Sequence, residues 1–268
     1  MMSFLDSEDR LNGRQIQRSA GCAIPMPELH TCIDSTNIRA KLLAADGAEE
    51  GSAVLADAQT AGHGRYGRPF FSGAGQGLYM SVILRPRLDF VLWPQLTSFA
   101  ALALCESLET LCPSLDLQVK WVNDVYLRGK KLAGILTESI ISSSVQSPSA
   151  AIVGIGVNLC GRLPEELQPI ACTLDSAVAP PSRNLLAGEI IKRLLRAEKE
   201  IASGTYLARY RRRCFILSKD VWVQEGGNTY EATVLDLLND ASLLIQLPSG
   251  EKRVLRAGEV SIRMQGGA

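Results

Sequence analysis

The chain has 268 residues, of which 28 are lysine or arginine, 28 are aspartate or glutamate and 46% are hydrophobic. This length allows one large domain, or one domain and a second small one, with a buried core. Because the formal net charge is zero, no overall positive field would hold nucleic acid or an anionic membrane. Any electrostatic recognition must therefore be local.

The sequence predicts neither a membrane-spanning helix nor a metal site. No apolar run approaches the roughly 20 residues that a spanning helix needs, and residues 1–20 are polar and of mixed charge, unlike a signal peptide. Seven cysteines are scattered without a C-x-x-C pair, which is typical of reduced thiols packed as small apolar side chains. With two histidines besides, a zinc site is not expected. We expect a cytoplasmic protein without membrane attachment.

In chain order, the first part of the sequence alternates between helix and strand patterns. Residues 1–20 predict a short, frayed lead-in, too short for a helix-turn-helix domain. Ser35-Thr36-Asn37 provides capping oxygens before a helix over 38–45, and residues 94–111 predict a helix with one apolar face. A polar turn over 142–149 would join the last two of the predicted strands. Those strands are 53–58, 78–84, 117–122, 132–138 and 151–157.

The second part of the sequence begins with an exposed connecting segment and ends in short strands. Residues 177–182 contain two prolines and precede a helix over 185–201, which has one apolar and one charged face. Five short strands with glycine, asparagine and aspartate turns then predict a small barrel of SH3-like size. They are 221–223, 230–235, 242–247, 253–255 and 260–263. We therefore divide the chain into a lead-in (1–20), a main domain (21–213) and a C-terminal domain (214–268).

A loop rich in glycine and arginine follows the first strand at residues 59–68. Gly62, Gly64 and Gly67 would allow positive φ and direct free N–H groups toward a ligand. Arg65 and Arg68 would add planar, charged donors for phosphate or carboxylate. A P-loop is excluded because arginine and proline follow the last glycine, and a dinucleotide loop is excluded because no helix follows. The loop therefore predicts a flexible cationic lid over an anionic ligand.

Four segments, in their order along the chain, resemble the biotin protein ligases. They are Asp34-Ser-Thr-Asn37, Gln59–Phe70, Lys120–Glu138 and Gly154-Ile-Gly-Val-Asn158. The third, with Lys-Trp-Val-Asn-Asp and Gly-Lys-Lys-Leu-Ala-Gly-Ile-Leu, is the most specific, and the resemblance covers nearly the whole chain. It implies the short form of the family, without an N-terminal DNA-binding domain. It also implies an α+β fold: a mixed central β-sheet with flanking helices, of the class II synthetase and biotin–lipoate ligase type, then an SH3-like barrel.

The resemblance also implies the chemistry of the main domain, which would bind biotin and ATP. The carboxylate of biotin would attack the α-phosphate of ATP, giving biotinyl-5′-AMP and pyrophosphate. A lysine of a biotin carboxyl carrier protein, such as an acetyl-CoA carboxylase subunit, would then accept biotin. Because biotin is its own nucleophile in the first step, the protein must position two anions and stabilise charge on phosphate, with Mg²⁺ brought by ATP. Homodimers are common in the family, and we expect no DNA partner.

The resemblance further implies a role for each site residue. Lys131 would bridge the biotin carboxylate and the α-phosphate, Arg65 and Arg68 would close over both, and Asp124 would orient or deprotonate the acceptor lysine, with Mg²⁺ nearby. These four form the catalytic set. The biotin-binding set is Ser35, Thr36, Asn37, Gln59, Gly62, His63, Gly64, Arg65, Lys131, Gly134, Gly154 and Gly156. The nucleotide-binding set is Arg65, Tyr66, Arg68, Phe70, Asn123, Lys131 and Asn158.

Three positions depart from the family pattern. His63 stands in place of an arginine, and Phe70 stands in place of a tryptophan, so the aromatic wall has less stacking area. Val122 interrupts the usual Lys-Trp-Pro-Asn-Asp, and the missing proline could loosen the strand end that presents Asp124.

Other functions remain open at this stage. Each motif alone has a structural explanation: a helix cap, a tightly packed strand or a turn. The order of the motifs favours a biotin ligase, with a lipoate or octanoate ligase, or a biotin-binding protein with weak catalysis, as alternatives. A transcriptional regulator belongs to another class, and the short lead-in and zero net charge argue against sequence-specific DNA binding.

Overall fold

A mixed seven-stranded sheet forms the centre of the main domain in the computed structural model, which describes residues 9–141 and 148–262. The strand order is β1-β2-β3-β7-β6-β5-β4. Strands β1 and β2 pair in parallel, and the other neighbouring strands pair antiparallel. The strands are β1 Glu28–His30, β2 Ala53–Ala56, β3 Gly77–Leu84, β4 Leu117–Lys120, β5 Asp124–Leu127, β6 Lys130–Ile141 and β7 Pro148–Asn158.

Six α-helices flank the two faces of this sheet in the described ranges. They are α1 Gly13–Ala20, α2 Thr36–Ala45, α3 Gln95–Leu111, α4 Arg183–Leu194, α5 Ala197–Ser203 and α6 Leu207–Arg213. Side chains alternate across a strand, so β3 turns Met80 and Val82 into the large core that contains α3 and α4. Its next residue, Ile83, faces the other way and packs against α2. The sheet is therefore covered on both faces, but unequally.

The face that carries α2 is covered at one end only. Helix α2 contacts β2, β3, β6 and β7, and its buried Ala40 and Ala44 pack on Ile152 of β7. Further along the same face, Asp124, Gly134 and Gly156 lie opposite one another on β5, β6 and β7. Two of these three residues have no side chain, so this end of the face stays open to form a cavity.

The C-terminal part is a separate antiparallel sheet, small and barrel-like, with the strand order β11-β10-β9-β8-β12. Hydrogen bonds join it and the chain leading to it to the main domain, among them one from the Arg211 side chain to Leu237 O. Trp121 Nε1 donates to Ala241 O at 2.8 Å, and Phe215 N donates to Val119 O at 3.2 Å. The strands are β8 Asp220–Glu225, β9 Asn228–Leu237, β10 Leu243–Gln246, β11 Lys252–Leu255 and β12 Glu259–Ile262.

The predicted fold class is confirmed, and the strands and helices predicted from periodicity are present with shifted ends. Strands β6 and β7 pair antiparallel, as expected, but most of the polar turn predicted between them lies outside the described residues, as do residues 1–8 and Arg263. Four elements were missed: α1, β1, β5 and α6. No helix in the described ranges has the length and apolar character needed to cross a membrane.

Three predictions about helices were wrong. Helix α2 begins at Thr36, so Thr36 and Asn37 lie inside it rather than before it. The helix predicted over 185–201 is two helices, α4 and α5, with a break between Leu194 and Ala197. Residues 13–20 are helical rather than frayed, because Asn12 caps α1 at Gln15 N, with 3.1 Å between Oδ1 and N, and α1 packs on α4.

Gly188 allows the close packing of α4 on α1. A Cβ at this position would overlap Ser19 Cβ and would lie 2.7 Å from the backbone at Ala20 N and Ile16 O. We predict that Gly188→Ala lowers the free energy of unfolding by about 1–3 kcal/mol through overpacking, despite the better helix propensity of alanine. Urea denaturation measures the change. Gly134→Ala is the matched control, since its Cβ would meet atoms no closer than 3.4 Å; equal stability of the two variants would contradict the prediction.

Candidate active site

A cavity of about 130 Å³ lies on the open part of the sheet face, beneath the glycine- and arginine-rich loop. The structure brings together fifteen of the predicted site residues around it. They are Ser35, Thr36, Asn37, Gln59, His63, Gly64, Arg65, Arg68, Phe70, Asn123, Asp124, Lys131, Gly134, Gly154 and Gly156. Small-molecule sites are usually larger, about 300 Å³ or more.

Three predicted site residues do not line the cavity. Tyr66 is 66% exposed, with its ring 5.2 Å from the Arg65 guanidinium carbon. Asn158 is buried, and its Nδ2 donates to Cys172 O at 3.3 Å. Gly62 serves the packing of the loop, because a Cβ there would lie 2.8 Å from Gln59 Nε2 and Ser72 Oγ.

The loop is a narrow flap closed by its own backbone. Gly64 N donates to Arg68 O at 2.8 Å, and Phe70 N donates to Gly62 O at 2.9 Å. Gly67 has a positive φ of 70°, as expected, and Tyr66 also has one, 57°. Gly62 and Gly64 do not, and the N–H of Gly64 points to the flap itself. The expectation of three left-handed glycines with free inward N–H groups is therefore wrong for Gly62 and Gly64.

A β-bulge turns Lys131 into the cavity. Val125 lies opposite Ala133 and Tyr126 lies opposite Lys131, so β6 has one extra residue, Leu132, between these pairs. Leu132 and Ala133 are both fully buried in the core. Without the bulge, strict alternation along β6 would place Lys131 on the same face as Ala133. Residues 170–172 also hold the backbone of Lys131. Lys131 N donates to Ile170 O at 3.0 Å, and Cys172 N donates to Lys131 O at 2.9 Å.

Asp124 lies between two lysines on the cavity floor. Its Oδ1 is 2.8 Å from Lys131 Nζ, and its Oδ2 is 3.7 Å from Lys120 Nζ. The flap adds Arg65, whose Nη1 lies 3.5 Å from Asn123 Oδ1, and Arg68. Among the described residues, four cationic and two anionic side chains line the cavity, counting Glu259, which gives a net charge of +2. Such a site favours an anionic ligand.

Nine lining residues were missed as site residues. Lys120 had a usable signal, because it ends a predicted strand within the most specific motif. Glu259 had none, since it comes from β12 of the C-terminal sheet and reaches the flap, where its Oε2 is 2.7 Å from Arg68 Nη2. The missed residues are Pro69, Met80, Lys120, Trp121, Ile135, Leu136, Ile155, Glu259 and Val260.

A buried polar network connects the start of α2 to the flap. Gln59 Oε1 accepts from Thr36 N at 2.8 Å and lies 3.2 Å from Thr36 Oγ1, while Gln59 Nε2 donates to Ser72 Oγ at 3.0 Å. Behind Thr36, Asn37 Nδ2 donates to Glu138 Oε2 at 2.9 Å. Burial on its own raises the pKa of Glu138, but hydrogen bonds from Lys41 and Asn37 outweigh it and hold this pKa below its ordinary value. Glu138 is therefore ionised at neutral pH.

Two of the glycines in the site are explained by contacts within the protein. A Cβ at Gly154 would overlap Asn37 Oδ1, and one at Gly156 would lie 2.5 Å from the Phe70 ring. The Phe70 ring thus covers the backbone of Gly156, a residue of the predicted biotin-binding set. Gly134 differs, because a Cβ there would make only ordinary contacts, at 3.4 Å with Lys131 and 3.6 Å with Phe70.

The turn that presents Asp124 is held on both sides, although Val122 replaces the usual proline. The Trp121–Val122 peptide bond is cis. Tyr210 Oη donates to Val122 O at 3.1 Å. Asn123 Nδ2 donates to Ile135 O at 3.0 Å, and Ile135 N donates to Asn123 O at 2.9 Å. The side chain of Tyr210 and the backbone of β6 therefore hold Val122 and Asn123 in place at this strand end.

Comparisons with known proteins agree with the geometry. Residues 29–158 match the Biotin/lipoate A/B protein ligase family. The chain is 34% identical over 84% of its length to the biotin--[acetyl-CoA-carboxylase] ligase of Mycobacterium tuberculosis, of which it covers 85%. It superposes on the biotin protein ligase of Aquifex aeolicus in complex with biotin and ATP with a TM-score of 0.73 and 28% identity, covering 88% of this chain and 98% of that one.

Longer relatives are matched only in part. The bifunctional ligase/repressor BirA of Bacillus subtilis is 40% identical over 151 residues, and the match spans 46% of that protein. The corresponding protein of Bacillus spizizenii is covered to 45%. The match to the Mycobacterium tuberculosis protein, in contrast, extends over most of both chains. The chain therefore belongs to the biotin/lipoate A/B protein ligase family, in its biotin protein ligase branch.

Proposed function

We propose that this protein is an ATP-dependent biotin protein ligase. It activates biotin to biotinyl-5′-AMP and transfers the biotinyl group to a lysine of a biotin carboxyl carrier protein. The observation that carries the proposal is the cavity floor, where Lys131 and Lys120 flank Asp124 beside the bare backbone of Gly134. The arginine flap closes over it. Such a site suits a ligand with an anionic end and an uncharged ring.

The first step needs positioning of charges rather than a base. A carboxylic acid with an ordinary pKa near 4 to 5 is already ionised at neutral pH, so biotin itself attacks the α-phosphorus and pyrophosphate leaves. Lys131 holds the carboxylate and an α-phosphate oxygen together, and Arg65 and Arg68 stabilise the negative charge on the phosphate. In binding these anions, the cations exchange their present partners, Asp124, Asn123 and Glu259, for ligand oxygens.

The second step needs a free amine on the acceptor lysine. That amine is protonated in water at neutral pH. We assign Asp124 the task of holding the incoming ammonium through Oδ2, the oxygen farther from a lysine, and of accepting its proton. The amine then attacks the carbonyl carbon of the mixed anhydride, an amide bond forms, and AMP leaves. Asp124 thus acts after Lys131 has turned to the phosphate.

Magnesium enters with ATP. Among the described residues, no group of three or more histidine, cysteine, aspartate or glutamate side chains is placed to hold a metal ion. The two carboxylates of the cavity, Asp124 and Glu259, already face cations. We therefore assign Mg²⁺ to the ATP phosphates, whose negative charge it neutralises when bound.

The remaining site residues bind the biotin end and the nucleotide end of the adenylate. Ser35, Thr36 and Gln59 bind the ureido group of biotin beside Asn37, His63 and the flap backbone. The Phe70 ring moves off Gly156 to admit the bicyclic ring and then covers it. On the nucleotide side, Tyr66 and Asn123 support Arg65, which each of them already contacts. Contact of Asn158 with adenine stays a prediction, since its Nδ2 donates to Cys172 O outside the cavity lining.

The partner and cellular assignments are also proposals. The acceptor is a biotin carboxyl carrier protein, as the name of the Mycobacterium tuberculosis relative indicates for that enzyme. A cytoplasmic reaction fits the use of ATP and the seven unpaired thiols. The domain limits at residues 20 and 213, homodimer formation and the lack of DNA binding stay predictions.

The half-reaction tests the proposed function. Biotin should support exchange of labelled pyrophosphate into ATP, since adenylate formation is reversible at the site. Lipoate and octanoate, offered at the same concentration, should support at least about tenfold less exchange, because neither carries the donors and acceptors of the ureido ring. Exchange with lipoate alone would assign the chain to the lipoate ligases. Tight binding of biotin without exchange would make it a binding protein.

Arg65 provides a test of the flap. We predict that Arg65→Gly raises the release of biotinyl-5′-AMP by at least about tenfold, because a charge-assisted bidentate contact to the phosphate is lost. The free energy of unfolding should change by less than about 0.5 kcal/mol, since the side chain makes two long hydrogen bonds near the surface. Labelled adenylate trapped by bulk amines measures the leak. Arg162→Gly is the control, because Arg162 pairs only with exposed Glu165 among its described contacts. If Arg65→Gly released no more adenylate than the parent, Arg65 would not retain the adenylate.

Gly134 provides a test of the bare cavity floor. We predict that Gly134→Ala weakens biotin binding by about tenfold or more, because the methyl group fills the space where the ligand would lie against the strand. Alanine should not destabilise this strand. It can raise the free energy of unfolding by about 0.5–1 kcal/mol, because alanine loses less conformational entropy on folding than glycine does. Calorimetric titration with biotin, together with urea denaturation, separates the two effects. Unchanged affinity would show that the ligand does not lie on Gly134.

A further inference from the structure

The cavity floor carries a second lysine, Lys120, which none of the proposed steps uses. Lys120 ends β4 and lies directly opposite Asp124 of β5. Its Nζ is 3.7 Å from Asp124 Oδ2, whereas Lys131 Nζ is 2.8 Å from Asp124 Oδ1. Each carboxylate oxygen thus faces a different lysine. When Lys131 turns to the phosphate, Lys120 stays beside the oxygen that receives the acceptor lysine.

An aromatic pair holds Lys120 in this position. Its Nζ lies 5.7 Å from the centre of the Tyr126 ring, within the range of a cation–π contact. The Tyr126 ring packs on Phe215, with 5.1 Å between ring centres, and Phe215 N donates to Val119 O. Burial, and after it the charge of Asp124, raises the pKa of Tyr126, so its hydroxyl is uncharged at neutral pH. The side chain of Lys120 is only 25% exposed, and contacts on two sides set its position.

Proton transfer from the acceptor ammonium to a carboxylate is unfavourable in water. The ordinary pKa values of an aspartic acid and a lysine differ by about six units. A carboxylate alone also stabilises the ammonium that it binds, and so raises the pKa of that ammonium. Asp124 can therefore hold the acceptor lysine in place, but its negative charge opposes the deprotonation that the reaction needs. A positive charge next to the same carboxylate has the opposite effect.

We propose that Lys120 activates the acceptor lysine, because its fixed positive charge beside Asp124 Oδ2 makes the incoming ammonium lose its proton. This inference rests on the proposed function and deepens it, since it assigns a further residue to the second step. Like charges a few ångströms apart each disfavour the charged form of the other. At an effective dielectric constant of about 20, a unit charge about 5 Å away lowers the pKa of a lysine by about two units. Because Lys120 is partly exposed, we expect about one unit after screening by solvent.

The acceptor nitrogen changes from an ammonium to an amide in the transfer. Placed beside Asp124 and Lys120, the ammonium gives one proton to Asp124 Oδ2. Its nitrogen attacks the carbonyl carbon of biotinyl-5′-AMP and forms the C–N bond. The C–O bond to the phosphate then breaks, and its electron pair leaves with AMP. The nitrogen loses its second proton to solvent, which leaves a neutral amide.

Other charged and titratable side chains of the cavity have different partners. Those that surround Lys120 are Asp124 of β5, Lys131 of β6, His63, Arg65 and Arg68 of the flap, and Glu259 of β12. In the proposed reaction Lys131 and the flap arginines bind the adenylate. Glu259 pairs with Arg68, with 2.7 Å between Oε2 and Nη2, and His63 Nδ1 lies 3.1 Å from a carbonyl oxygen of the flap itself. Among the described lining residues, Lys120 is therefore the cation left beside the carboxylate during transfer.

Three variants separate the charge of Lys120 from its other contacts. Lys120→Gln removes the positive charge, whereas Lys120→Arg keeps a cation that can also lie on the Tyr126 ring. Lys130→Gln is the matched control, because Lys130 is outside the cavity lining and its Nζ donates to Gln168 O at 2.6 Å. Lys120 lies at a strand end and its side chain is partly exposed, so these substitutions should leave the fold intact. Urea denaturation checks this.

The experiment measures a single turnover of biotin transfer to a purified biotin carrier domain. Biotinyl-5′-AMP is supplied directly, so the first step does not affect the rate. The pH runs from neutral to about pH 10, where a free lysine is close to half deprotonated. At neutral pH we expect Lys120→Gln to be about tenfold slower than the parent, because one pKa unit changes the fraction of free amine tenfold below both pKa values. The difference should close as the pH rises, and Lys120→Arg and Lys130→Gln should stay within about threefold of the parent.

Hydroxylamine as a second acceptor isolates the effect on deprotonation. It is uncharged at neutral pH and attacks the mixed anhydride without first losing a proton. Lys120→Gln should therefore transfer biotin to hydroxylamine as fast as the parent does. A purely structural role of Lys120 would slow transfer to both acceptors alike and at every pH, and that result would overturn the inference.

Three further outcomes also overturn the inference. If Lys120→Gln matches the parent with the carrier domain at neutral pH, the charge is not needed. If Lys120→Arg is as slow as Lys120→Gln, a positive charge at this place is not what accelerates transfer. If Lys120→Gln loses pyrophosphate exchange but transfers normally from supplied adenylate, Lys120 serves the first step, and the proposed function stands. A parent that neither supports exchange nor transfers biotin from the adenylate rejects both.

Discussion

The pairing of β5 with β6 is the constraint on which the site depends. One extra residue in β6, Leu132, reverses the alternation of side chains at that point, so that Lys131 shares a face with Asp124 and Gly134. The same strand pairs with β7 on its other side and places Gly134 opposite Gly156. A slip by one residue would send every one of these groups to the opposite face. The fully buried Leu132 and Ala133 fix the register, so the hydrophobic core positions the charges of the site.

The charges are arranged before any ligand arrives. Asp124 and Glu259 hold cations that the proposed reaction needs, Lys131 on the floor and Arg68 on the flap. Exchanging a carboxylate for a phosphate oxygen costs little reorganisation, since the cation remains charge-paired throughout. The Glu259 contact also connects the C-terminal sheet to the flap. The small barrel-like part therefore touches the site directly, although it contributes none of the sequence motifs.

Much of the fold was predictable, because apolar spacing and runs of β-branched and aliphatic residues between turns locate long elements and several strands of only four residues, such as β10 and β11. Helix α3 and strands β3, β6 and β7 were found from apolar spacing. Strand β5 has four residues between an Asn-Asp turn and an Arg-Gly turn, and those turn signals concealed it. Local motifs also located fifteen of the lining residues. Glu259 could not be found, because its contact with Arg68 joins residues far apart in the sequence. The bulge at Leu132 could not be found either, since it depends on the register with β5. Gly154 shows a further limit: its missing side chain accommodates Asn37, a contact that only the packing reveals.

The central claim is that Lys131, turned into the cavity by the bulge, makes this chain a biotin protein ligase. Transfer of labelled biotin from solution to a purified biotin carrier domain, with ATP and Mg²⁺, tests it most directly when the parent is compared with Lys131→Ala. The account predicts label on the carrier with the parent and a loss of at least about a hundredfold in rate with the variant, equivalent to about 2.7 kcal/mol of transition-state stabilisation. The fold should persist in that variant. Equal rates for parent and variant, or no label on the carrier with the parent, would contradict the account.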